Sequence, residues 1–266
     1  MAVLWRFLLC VLFAPTLARA GAFMQPEGGG LVIAQMGFAQ SDRLLDLDGA
    51  PLARAWRKLE VSVYGEYGLT DWITIIGEPS ARTFRMDKII DWNLQEVGRS
   101  RGTQVGASQI GARVRLFESG DAIVSGQVTL RFAPGGRNVA LYSDMRRPIQ
   151  VDVRALFGRR LDLFGWTGFS SAEFGLRNDG AFGHQVRMDF TCGVDVAERT
   201  TALFQSFVAF TPRVLGGRFA LSQKAQASLV YALTPRLSLQ VGASMGLRGP
   251  NARAERGLFS ALWTRF

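Results

Sequence analysis

The chain reads as a closed antiparallel transmembrane β-barrel of about twelve strands, on three observations. Apolar and polar residues alternate with a period of two over long stretches, and the links between those stretches tend to be short and long in turn. After residue 20 there is also no run of eighteen apolar residues, which excludes spanning helices. The alternation is plainest in QVRMDFTCGVDV, Gln185 to Val196. There Val186, Met188, Phe190, Cys192, Val194 and Val196 share one face, against Arg187, Asp189, Thr191, Gly193 and Asp195. In RLSLQVGASMGL, Leu237, Leu239, Val241, Ala243, Met245 and Leu247 oppose Ser238, Gln240, Gly242, Ser244 and Gly246.

Residues 1 to 20, MAVLWRFLLCVLFAPTLARA, have the layout of a secretory signal peptide. Arg6 precedes an apolar run from Phe7 to Pro15, and Ala18-Arg19-Ala20 forms a small-x-small end. Cleavage before Gly21 is expected, which leaves residues 21 to 266 as one barrel domain. The leader takes Cys10 with it and leaves Cys192, so a disulfide framework within one chain is excluded. It also takes Arg6 and Arg19, which lowers the formal net charge from +9 to +7. Lys58, Lys88 and Lys224 are the lysines, and all other basic side chains are arginine. For an exported chain this balance suits polyanionic surfaces such as lipopolysaccharide or acidic glycans rather than nucleic acid.

The strands are expected near 29–42, 56–69, 72–86, 104–117, 122–134, 149–160, 164–178, 182–196, 201–213, 219–233, 236–248 and 254–266. Most exceed the five or six residues usual in soluble sheets and match the roughly ten that a tilted strand needs to cross a bilayer. Tight links follow the even-numbered strands: LTDW (69–72), ESGDA (118–122), RLDLFG (160–165), AERTT (197–201) and LTPRL (233–237). Long ones follow the first, third and fifth: 43–55, 87–103 and 134–148. Short turns on one rim and longer loops on the other are the asymmetry of outer-membrane barrels. A soluble sandwich or lipocalin-like barrel would share the alternation. The mid-strand charges Glu66, Arg113, Asp152, Glu173 and Asp189, taken with this asymmetry and the leader, favour a wet lumen and a lipid-facing exterior.

EYGLTDWITI (66–75) and YALTPRLSLQVG (231–242) resemble the periplasmic hairpin turns of bacterial outer-membrane β-barrels. The ending LFSALWTRF resembles the barrel-assembly signal of the same proteins, with Leu258, Leu262 and Phe266 at alternate positions and Ser260 and Thr264 as polar departures. GAFMQPEGGGLVIAQ (21–35), followed by EYGLTDW, is similar to a poorly characterised group of proteobacterial envelope barrels. The resemblance implies insertion into the cell outer membrane by the barrel-assembly machinery, among outer-membrane lipid and lipopolysaccharide. It implies nothing about a particular activity.

The chemistry on offer is sparse. His184, the one histidine, sits at the outer end of the eighth strand on the apolar phase. A serine hydrolase needs a histidine base, and the more economical reading is an interfacial histidine at headgroup level. One cysteine and one histidine do not build a zinc site. DLDG (46–49) lacks the spaced acceptors of a calcium loop, and APGGRN (133–138) lacks the lysine and helix of a phosphate cradle. No metal, cofactor or enzymatic activity is expected.

What remains is the polar phase of the strands. Glu60, Glu66, Glu78, Arg113, Arg115, Arg131, Asp152, Arg154, Glu173, Arg177, Arg187, Asp189 and Lys224 are the candidate pore-lining residues. Arg113, Arg115 and Arg131 are expected to cluster on the paired fourth and fifth strands. One reading is an internal arginine–carboxylate network that fills a narrow barrel; the other is an anion-favouring path, since rings of one charge select by sign. In 85–102, Ile89, Ile90, Trp92, Leu94 and Val97 have partly helical spacing, suited to a constriction or a cap. The leading expectation is a passive, non-enzymatic channel or uptake protein for small solutes, with anionic solutes or glycans among the candidates. The alternatives are a structural or accessory envelope barrel, serving exopolysaccharide export or adhesion, and a lipid-modifying enzyme using His184.

Overall fold

The computed structural model describes the chain apart from residues 1–20, 42–43, 46–50, 91–95, 133–148, 164, 179–183, 213–218 and 248–254. Fifteen strands form one sheet: β1 (Gly30–Ser41), β2 (Leu44–Leu45), β3 (Pro51–Thr70), β4 (Ile73–Glu78), β5 (Ser80–Ile90), β6 (Glu96–Val105), β7 (Ser108–Ser119), β8 (Ala122–Phe132), β9 (Ile149–Leu163), β10 (Trp166–Asn178), β11 (His184–Ala197), β12 (Thr200–Thr211), β13 (Ala220–Ala232), β14 (Leu237–Leu247) and β15 (Arg256–Arg265). They make twelve staves. β4 and β5 are two halves of one stave, β6 and β7 of another, and β2 is a two-residue addition beside β3.

Each stave pairs antiparallel with its neighbours in sequence, and the wall closes at β1. That strand pairs with β15 from Leu31↔Arg265 to Gln40↔Arg256, and with β3 from Gly30↔Tyr67 to Ser41↔Trp56. Gly30 and Phe266 exchange backbone hydrogen bonds (3.0 and 3.2 Å), so first and last strands meet on one rim. Closure removes the unpaired edge that lipid would penalise.

Local chemistry explains the tight turns. Thr70 Oγ1 accepts from the N–H of Trp72 (3.4 Å) and Ile73 (3.1 Å), and Thr234 Oγ1 accepts from Arg236 (3.3 Å) and Leu237 (3.0 Å). The same threonine device thus folds both LTDW and LTPRL. Gly120 (φ 56) and Gly165 (φ 79) supply left-handed residues in two further turns. Proline interrupts the third stave: Pro79 has no N–H for the ladder, its carbonyl accepts from Val63 N (3.0 Å), and Ser80 O accepts from Gly106 N (2.7 Å).

Two stretches read as long loops are largely strand. β3 begins at Pro51, inside the expected 43–55 loop, and β5 and β6 occupy most of 87–103 as a hairpin. β-branched and aromatic side chains let the ladder continue past the span, with Phe84↔Gly102 and Thr83↔Thr103 in register and the two threonine hydroxyls 3.0 Å apart. Ile89, Ile90 and Val97 therefore lie on strands rather than a helix. Trp92, Leu94, DLDG, APGGRN and loop 134–148 fall outside the described residues.

Burial is inverted relative to a water-soluble fold. Phe174, Leu176, Val241 and Leu258 are 54, 53, 54 and 69% exposed, whereas Arg113, Asp152, Ser125 and Thr129 are buried. An apolar outer wall around a polar interior is stable in a bilayer, where lipid covers the aliphatic face.

Toward the turn rim the interior is apolar instead. Leu31, Ile123, Leu156, Phe169, Leu203, Val230, Ala261 and Trp263 form a buried cluster with Ala22 and Phe23. Those last two belong to a segment inside the barrel. From the rim, where Gly28 N bonds Gly68 O (2.9 Å) and Gly68 N bonds Gly29 O (2.9 Å), residues 21–27 run inward to Ser125 and Ser171. Phe23 meets Phe169 edge-on, with ring centroids 6.1 Å apart. The lumen is therefore open to polar side chains only above this segment, a narrower wet space than the strand pattern implies.

Candidate functional site: a charged cavity above an internal segment

The polar interior encloses a cavity of about 430 Å³, lined by Glu60, Glu78, Arg113, Arg131, Arg154, Glu173, Arg177, Arg187, Asp189 and Lys224 and by neutral polar groups including Gln35, Ser62, Gln205, Gln226 and Ser244. Gly21 reaches it from below.

Its floor is built around Arg113. The residue is 2% exposed; Nη1 donates to the Phe23 carbonyl (2.9 Å) and lies 3.1 Å from Glu66 Oε1, while Nε and Nη2 both donate to Gln127 Oε1 (3.1 and 3.0 Å). Glu66 also accepts from Tyr64 Oη, and at Oε2 from Gln25 Nε2 (2.6 Å). A buried ion pair is tolerable only when its remaining lone pairs and protons are used, and here residues 23 and 25 help to use them.

One wall carries a second network. Asp152, 1% exposed, accepts from Arg154 Nε (2.8 Å) and from Arg177 Nε and Nη2 (2.9 and 2.6 Å). Arg154 Nη1 reaches Glu173 (2.8 Å) and Asp189 (2.6 Å), and Arg187 Nη2 donates to Asp189 Oδ2 at 3.4 Å. Register sets this geometry: Glu173 lies opposite Asp189, while Gly175 lies opposite both Arg154 and Arg187. A Cβ at Gly175 would come within 2.8 Å of Arg154 Cγ, so the glycine makes room for that arginine. Three guanidinium groups and three carboxylates interlock here. Arg187 Nε and Asp189 Oδ1 remain buried without a hydrogen-bond partner among the described residues.

The other side is more loosely held. Lys58 pairs with Glu60 (2.7 Å), Gln109 Nε2 donates to Glu78 (2.8 Å), and Lys224 lies 3.9 Å from Glu255.

Arg113, Arg115 and Arg131 do not form the expected trio. The β7 register shifts between Arg115 and Phe117, and Arg115 pairs with Glu118 (2.6 Å) at the exposed turn. It does not line the cavity, whereas Arg131 lines it and Arg113 closes its floor. Glu66 and Asp152 lie behind the lining, clamped by arginines. His184 opens β11, exposed and opposite Asn178. At the end of the chain Leu258, Leu262 and Phe266 point outward (69, 42 and 59% exposed), whereas Phe259 and Trp263 point inward.

Sequence reasoning missed the contribution of residues 21–27, together with Tyr64, Gln127 and Ser171. The available signal was the apolar Ala22-Phe23-Met24 placed ahead of the first strand and followed by Gly28-Gly29-Gly30.

No family model and no curated protein sequence matches the chain. Solved structures do match it in fold. An outer membrane channel from Pseudomonas putida F1 superposes with a TM-score of 0.64 at 14% identity, covering 94% of this chain and 100% of that one. The NanC porin superposes with a TM-score of 0.54 at 10% identity, covering 88% and 98%. At these identities the likeness is one of architecture: this chain folds as outer-membrane channels of twelve strands do.

Proposed function

We propose that the protein is a passive channel or uptake protein of the cell outer membrane for small solutes, with a preference for anions. The observation that carries this reading is the cavity itself: Arg177, Arg187 and Arg131 share its wall, and Arg187 Nε is buried without a hydrogen-bond partner among the described residues. An anionic group that enters would meet a donor whose desolvation is already complete. The neutral side chains Gln35, Gln205, Gln226 and Ser244 suit a solute with hydroxyl groups, such as a small glycan. The fold shared with an outer membrane channel and a porin supports the class.

A second reading is a structural or accessory barrel that conducts nothing. It is favoured by the apolar cluster that residues 22 and 23 complete at the turn rim. Planar-bilayer recording of the purified protein separates the two. Discrete steps, with a reversal potential shifted toward the anion equilibrium potential in a salt gradient, support the channel; a silent membrane carrying inserted protein supports the closed barrel. The proposed role is non-enzymatic, and lipid hydrolysis abolished by His184→Ala would overturn that part.

The same reading takes residues 1–20 as a cleaved signal peptide and places the short turns in the periplasm. Leu258, Leu262 and Phe266, on the outward phase of β15, are proposed as the surface read by the barrel-assembly machinery, with lipopolysaccharide and outer-membrane lipid as neighbours.

A further inference from the structure

We infer that the lumen holds a receptor site for the chain's own α-ammonium group, formed by Ser171 and Glu173, and that hydrolysis of the Ala20–Gly21 bond creates the ligand for it. Gly21 has φ 94, and a Cβ built on it would collide with Ser171 Oγ and lie 3.8 Å from Glu173 Oε1. The amino nitrogen is two bonds from that position, which places it within about 6 Å of that oxygen. The next residue is tied down: Ala22 N donates to Ser171 Oγ (3.2 Å) and Ala22 O accepts from Ser125 Oγ (2.7 Å). The end of the segment is thus fixed beside an acid.

Place matters as much as contact. β10 rises from Trp166 at the turn rim, so Ser171 stands five residues inside, about 17 Å along the strand. On the proposed reading of residues 1–20 as a cleaved leader, on which the inference rests, a leader still attached at Gly21 would have to continue from the middle of a charged barrel. Residues 1–20 are mostly apolar and suited to lipid, so the segment cannot dock there while its leader lies in a membrane. Hydrolysis resolves the conflict: water adds across the amide, its oxygen leaves on the new Ala20 carboxylate, and Gly21 keeps the nitrogen as an ammonium. One amide donor becomes three charged donors, beside an acid that already pairs with Arg154 at 2.8 Å. Docking of residues 21–27 then follows processing and does not precede it.

The test is acylation of Gly21 Nα by an amine-reactive ester, mapped by peptide mass so that Lys58, Lys88 and Lys224 are scored separately. Purified barrel beginning at Gly21 should react at Nα about tenfold more slowly than the unfolded chain, as expected for a group that reacts only from an opened state. Glu173→Gln should recover most of that reactivity. Gly21→Ala, whose Cβ has no room beside Ser171, should do so without touching the carboxylate. A gel shift between unheated and boiled samples confirms that each variant is folded. A chain retaining residues 1–20 should show residues 21–27 open to protease. Equal Nα reactivity in folded and unfolded wild type, or none regained in either variant, overturns the inference. None of these readouts depends on conductance, so failure of the channel reading is distinguishable.

Discussion

Gln25 Nε2 donates to Glu66 Oε2 at 2.6 Å, across 41 residues of sequence. That bond joins the segment before the first strand to the motif EYGLTDW. It has company: Pro26 O packs against Gly68, and Glu27 N donates to Asp71 Oδ1 (3.1 Å). Residues 25–27 thus read out Glu66, Gly68 and Asp71 in turn. The glycine of EYGLTDW is there because another backbone passes over it, and the aspartate because it holds that backbone's amide.

Gly68→Ala should release the internal segment while the barrel stays closed. The added Cβ would collide with the Pro26 carbonyl, a backbone atom that cannot rotate away. The expected outcome is larger single-channel steps with an unchanged gel shift on heating. Unchanged conductance would show that the segment remains seated.

Removing residues 22–26 should have the same sign and a larger effect, since it empties the space beside Phe169 and frees Arg113 from the Phe23 carbonyl. Increased conductance relative to Gly68→Ala is expected, measured in the same bilayers.

Arg113→Met leaves Glu66 buried beside Tyr64 and Gln25 with no cation. Breaking one side of a buried pair costs about 3–5 kcal/mol, to be read from urea unfolding in detergent or lipid. Adding Glu66→Gln should recover a substantial part; an additive double variant would argue that the two do not act as a pair.

Arg187→Gln should reduce the preference for anions and shift the reversal potential toward that of a neutral pore, with the fold intact. Arg115→Gln, at the exposed turn, should leave selectivity unchanged. Equal effects from both would detach selectivity from the cavity wall.

Deletion of Phe266 should impair membrane insertion. The residue's backbone is bonded to Gly30 at the closing seam, and its loss removes both that bond pair and the proposed assembly signal. The folded, heat-modifiable fraction in isolated membranes is the measurement, with truncation of an exposed loop as the comparison.

Much of the architecture was legible because it is locally encoded. Val186, Met188 and Phe190 declare a face through spacing alone, and Thr70 and Thr234 declare turns through a hydroxyl that accepts from the amides two and three residues on. The strand pairing within 87–103 was not legible, because these strands extend past the length a bilayer demands and no span criterion marks where pairing stops. The arginines were recognised as interior, but not their partners. Arg113 meets Phe23 across 90 residues, and Arg115, close to the turn, pairs with Glu118 instead of joining the lining.

The sequence by itself determined a twelve-stave antiparallel barrel with an apolar exterior, since period-two patterning and turn length act between neighbouring residues and survive any choice of stagger. Only the tertiary structure decided what fills the lumen. The stagger between strands selects which guanidinium faces which carboxylate, and so builds Asp152, Arg154, Glu173, Arg177, Arg187 and Asp189 into one interlocked wall. The occupant at the floor, residues 21–27, has no strand periodicity to announce it. It is specified by the space the staves enclose, and by polar groups that would otherwise be buried without partners.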